Sequence, residues 1–67
     1  MEDDGEAHVR AAARYMRLAS TTLDSTVRAQ YLRLRQNCLQ LAVASGISMA
    51  EALEMEAAEL SKDESKT

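Results

Sequence analysis

The apolar positions of this 67-residue chain fall into three stretches of helical spacing. In the first, Val9, Ala12, Met16, Ala19 and Leu23 step by +3, +4, +3 and +4. That interval keeps one seam turned toward a neighbouring helix. Ala11, Tyr15 and Leu18 widen the face, and the pattern predicts a helix from about Glu6 to Leu23. In the second stretch, Val27, Tyr31, Leu34, Cys38 and Leu41 form a similar seam. Leu32, Leu39 and Val43 form another ridge, more than about 100° away around the wheel. A helix with two apolar ridges touches two things. One is expected to be helix 1; the other is a third helix or a second subunit. This predicts a helix from Ser25 to Ser45. The third stretch, Met49, Leu53, Ala57 and Leu60, is narrower and predicts a helix from Met49 to about Ser61.

The punctuation between these stretches is specific. Asp24 precedes Ser25-Thr26, where its carboxylate can accept from a free first-turn amide and sits at the positive end of the dipole. Leu23 before it and Arg28 after it leave no room for a long loop. A short connection makes helices 1 and 2 an antiparallel hairpin. Gly46 ends helix 2, in the left-handed conformation that costs glycine little. Ser48-Met49-Ala50-Glu51 is a Ser-x-x-Glu capping box and the clearest local signal in the chain. The expected organisation is an acidic disordered tail over residues 1–5, a three-helix domain over 6–61 and a polar tail over 62–67.

Composition narrows the fold to helix packing. There is no Pro, Trp or Phe, and a single Cys and a single His. One cysteine excludes an internal disulfide, and Cys38 and His8 make a poor metal set. A chain this small needs well-fitted helices or a partner. No apolar run approaches the roughly 18 residues of a membrane span. The acidic first residues lack the basic-then-apolar order of a signal peptide, so a cytoplasmic location is expected.

Charge is sorted along the chain. The net charge of −3 divides into −4 over residues 1–7, +5 over 8–45 and −4 over 46–67. All six arginines lie in the middle segment, with Asp24 as its only acid. Such sorting speaks of partners more than of catalysis. Arg10, Arg14 and Arg17 form one ridge on helix 1, a candidate surface for an anion or an acidic partner. The acidic ends and the two tyrosines disfavour nucleic acid.

Glu56 is the most pointed position. It falls within the apolar face of helix 3, where an unpaired carboxylate is costly to bury. Arg28 and Arg35, a heptad apart between the two ridges of helix 2, are its candidate partners in a bidentate fork. Cys38 reads as a small buried hydrophobe, His8 as a surface residue, and Tyr15 and Tyr31 as amphipathic packing. No glycine-rich loop, nucleophile elbow or paired-carboxylate arrangement occurs, so neither enzymatic activity nor a cofactor is expected.

Two resemblances bear on function. Leu41-Ala42, Gly46-Ile47-Ser48, Ala52 and Met55 resemble the core of a DNA-binding helix-turn-helix. The would-be recognition helix, however, carries Glu51, Glu54, Glu56 and Glu59 and no basic residue before Lys62, the wrong charge for phosphates. Arg17-Leu18-Ala19, Asp24, Val27-Arg28-Ala29, Tyr31-Leu32-Arg33-Leu34 and Leu39-Gln40-Leu41-Ala42 resemble a group of very small alphaproteobacterial proteins. Their pattern is Arg-Leu-Ala, Asp, an arginine, Tyr-Leu-x-Leu-Ala and a closing Leu-x-Leu-Ala. The match runs from Arg17 to Ala42, with Arg35 where alanine is usual and Ser25 where proline is common. It implies a helical hairpin and no particular activity.

The expected protein is all-α, an antiparallel hairpin plus a short third helix, able to form a dimeric bundle. The expected function is a non-enzymatic protein-binding module, an adaptor, inhibitor or small regulator. Its partner, another protein or a second copy, would meet Leu32, Leu39 and Val43, with Arg28 and Arg35 engaging acids. The alternative is a small transcriptional regulator using the Gly46 corner or the arginine ridge.

Overall fold

The computed structural model describes residues 4–65, with side chains described for 5–62. Three helices follow one another: α1 (Asp4–Thr21), α2 (Ser25–Ala44) and α3 (Met49–Ser65). The fold is all-α. α1 and α2 form the hairpin, and α3 folds back against both. Among the described residues, no helix is long and apolar enough to cross a membrane.

The helix ends follow from local chemistry. α1 stops at Thr21, before Leu23. The Ser20 and Thr21 hydroxyls donate back to the carbonyls of Arg17 and Leu18, at 2.9 and 3.1 Å, bonds that compete with continued helix. Leu23 therefore lies in the loop, 96% exposed, and leaves the seam expected of it. Asp24 caps α2 as expected, its Oδ1 accepting from the amides of Thr26 and Val27 at 2.9 and 3.2 Å. α2 closes in a Schellman motif: the Gly46 amide donates to Val43 O and the Ile47 amide to Ala42 O, with Gly46 at φ +117°. This satisfies carbonyls that a helix end otherwise leaves unpaired. Ser48 Oγ then accepts from the Glu51 amide at 3.1 Å to open α3.

Both expected tails start later or end earlier than composition suggests. Residues 1–3 lie outside the described residues, but Asp4 and Gly5 belong to α1. Gly5 is buried beneath the α2–α3 corner, where a Cβ would overlap the Ile47 side chain and stand 2.7 Å from Ser45 Oγ. The absent side chain admits the helix there. At the other end α3 continues to Ser65, and Lys62 follows Glu59 at 4.0 Å, a supporting i,i+3 pair; residues 66 and 67 lie outside the described residues.

The core is built largely of alanine. Val9, Ala12, Leu39, Ala42 and Ala52 form a buried cluster, with Cys38, Ile47 and Met55 packed against it. Ala13 and Ala19 are buried as well. These small side chains let the helices approach closely, and Leu39, 2% exposed, is the large residue that fills the space between them. The inward line of α2 thus runs between its two ridges. Leu34 and Leu41, placed by the spacing in the first apolar seam of helix 2, are 41% and 51% exposed. α3 is also turned from the expected face. Met49 and Leu53 are exposed, whereas Ala52 and Glu56 are buried.

Two outcomes test this core. Leu39→Ala is expected to cost about 2–5 kcal/mol, whereas Leu23→Ala stays within about 0.5 kcal/mol, both read by urea unfolding. Gly46→Ala has open space around its Cβ, yet is expected to cost about 1–2 kcal/mol because an L-residue is strained at this φ.

Candidate functional site

The sequence-predicted residues separate onto different surfaces. Arg35 and Glu56 meet. Arg35 Nε donates to Glu56 Oε2 at 2.7 Å, and Arg35 Nη2 donates to Glu56 Oε1 at 2.8 Å. This is the parallel two-bond fork that matches guanidinium to carboxylate. The Arg35 side chain is 22% exposed and that of Glu56 only 5%. The hydrogen bond and charge of Glu56 raise the pKa of Arg35 and outweigh the opposing effect of burial, so the cation persists at every accessible pH.

The arginine ridge is likewise approached by α3. Arg10 lies 3.4 Å from Glu6 on its own helix and 3.9 Å from Glu59. Arg10, Arg14 and Arg17, with Ala13 and Glu59, border a depression of about 230 Å³. A carboxylate thus already stands in the surface expected to take an anion. Glu59 carries the same message as Glu56, one turn further on. The signal was present as a Glu-x-x-Glu step, but only Glu56 falls within the apolar face.

The ridge expected to bind a partner is divided. Leu39 is in the core, and Arg35 is engaged by Glu56, so neither faces an incoming molecule as expected. The cause is the rotation of α2: its inward line includes Arg35, Leu39 and Ala42. Val43 stays exposed. Arg28 and Leu32 remain on the open part of the groove between α1 and α2. With Met16, Ala19 and Ser20 they line a depression of about 400 Å³. Arg28 Nη2 donates to Thr22 O at 3.0 Å, just beyond the end of α1, which fixes the guanidinium at the groove's rim and uses one of its five N–H donors. The depression has an apolar floor and a cationic edge. It can receive an amphipathic segment bearing an acid.

Cys38 is half-buried, and desolvation raises its thiol pKa, which opposes thiolate chemistry. The Tyr15 and Tyr31 rings stack across the hairpin at 6.3 Å between centroids. Comparison of the chain with protein-family models, curated proteins and solved structures finds no match.

The fork yields a thermodynamic cycle. Arg35→Met or Glu56→Leu alone leaves a charge without its partner and is expected to cost about 3–5 kcal/mol. The double variant is expected to recover most of that loss. Urea unfolding gives the energies, and hydrogen exchange locates the loss in α3. Additive single effects would mean that the two groups are not coupled.

Proposed function

We propose that this chain is a non-enzymatic protein-binding module, a small adaptor, inhibitor or regulator that acts by helix packing. Its ligand is an acidic amphipathic helix received in the groove between α1 and α2. The observation that carries this reading is the fork itself. A glutamate on an amphipathic helix is held by an arginine of the groove, which is the recognition chemistry a partner would use. α3 fills one part of the groove. The part lined by Met16, Leu32 and Arg28 takes the partner, whose apolar residues sit on Met16 and Leu32 and whose acid reaches Arg28.

The likeness to small alphaproteobacterial hairpin proteins implies the hairpin scaffold and no particular activity. Arg35, where the chain departs from their pattern, is the residue that binds α3. A hairpin of that kind, furnished with one arginine, can carry its own acidic helix.

The tagged full chain is expected to capture a specific protein from its native host. Leu32→Asp and Arg28→Glu should each abolish capture while leaving the helical content intact by circular dichroism, and Leu53→Gln should not change it. Salt-dependent binding to random-sequence DNA, lost when Arg10, Arg14 and Arg17 become Ala, would instead establish the nucleic-acid alternative.

A further inference from the structure

α3 lies on the hairpin as a bound helix would. Its Ala52 enters the cluster formed by Val9 and Ala12 of α1 and Leu39 and Ala42 of α2. Glu56 takes two bonds from Arg35 of α2, and Glu59 stands 3.9 Å from Arg10 of α1. No other described side chain of α3 is buried; Met55 is half-buried against the core, and Met49 and Leu53 are exposed. The seat thus rests on one alanine, Met55 and carboxylates. Nothing in that set is peculiar to α3. Any acidic amphipathic helix can offer Arg35 the same two-bond fork.

The open part of the groove leads into this seat. Arg28 precedes Arg35 by seven residues, two turns and about 10 Å along the same side of α2. α2 begins at Ser25, so a helix resting on the hairpin at Arg28 extends toward Arg35. At an ordinary length of about 11 residues, or about 16 Å, it reaches Arg35 before it ends. There it meets Glu56.

We propose that α3 is an autoinhibitory helix, displaced from Arg35 when an acidic partner helix occupies the whole groove. The inference rests on the reading of the groove given above and adds the partner's spacing: two acids a heptad apart, one for Arg28 and one for Arg35.

Exchanging one acidic helix for another strands no charge. Glu56 returns to water while Arg35 passes to the incoming carboxylate, whereas substituting either residue leaves the other buried and unmatched. The connection suits release. The bonds that close α2 end at the Ile47 amide, and Ser48 caps α3 separately. α2 therefore keeps its last turn, and α3 its first, when the two part. While α3 is docked, the partner's apparent affinity is reduced to the fraction of molecules whose groove is open.

The α3 sequence is itself the probe. A fluorescent peptide of residues 48–65 is titrated by anisotropy against the full chain and against its Glu56→Gln variant. The variant, whose own α3 has lost the fork, is expected to bind the peptide at least about tenfold more tightly than the unaltered chain. A peptide carrying Glu56→Gln should lose that gain, as should a chain that carries Arg35→Met in addition. Should Glu56→Gln prevent folding, hydrogen exchange of the unaltered chain gives the reading: the α3 amides should exchange through openings that leave α1 and α2 protected. Equal peptide affinity for the two chains, binding indifferent to Glu56 of the peptide, or α3 amides that exchange only with global unfolding would each overturn the proposal. None of these readouts involves the native partner, so failure here is separate from failure of capture through Arg28 and Leu32.

Discussion

The pairing of Arg35 with Glu56 sets the rotation of α3, and with it the face that each helix shows to the others. A carboxylate that is 4% exposed is tolerable only beside a cation of matching geometry. Once Glu56 points inward, Ala52 must follow, since it lies one turn away on the same side, and Met55 flanks Ala52 at i+3. Glu59 is then brought to Arg10. Leu53 is carried outward, while Met49, a heptad before Glu56 and on nearly the same side, is exposed in the first turn of α3. The desolvation cost of such a pair offsets much of its attraction, so its main effect is to select one arrangement among several of similar apolar burial.

Alanine makes this selection possible. Ala12, Ala13, Ala19, Ala42 and Ala52 are all at most 3% exposed, and each contributes little apolar area. At about 25 cal/mol per Å², a methyl group stabilises far less than an isobutyl group. The larger side chains are therefore left on surfaces. The molecule resembles a closely fitted frame with many of its larger apolar residues on the outside.

The elements of this frame were legible in the sequence because local chemistry fixes them. Asp24, Gly46 and Ser48 act within a few residues of themselves, and the structure shows each cap where the residue type demands it. Glu56 was legible as a problem, a carboxylate among apolar neighbours, and the spacing of Arg28 and Arg35 narrowed its solution to two residues. The rotations of α2 and α3 were not legible. Periodicity weighs Leu34 and Leu41 above Ala42 and Ala52, whereas close packing of three helices favours the smaller side chains at the shared axis. Leu23 misled because its spacing was right but the hydroxyls before it had already ended the helix. Gly5 misled because glycine in an acidic stretch reads as a tail, and only its neighbour from the far corner reveals why it is small.

That neighbour links residues 42 positions apart, Gly5 and Ile47, in a chain of 67. The caps at Asp24, Gly46 and Ser48 are local, each acting within a few residues of itself. The Gly5 contact forms only when the open end of the hairpin and the α2–α3 corner have both arrived. Closing so long a loop carries an entropic cost, as does the still longer Arg10–Glu59 approach of α1 and α3. The first turn of α1 thus seats only where hairpin and corner are both in place, a clasp on the assembled α1–α2–α3 junction.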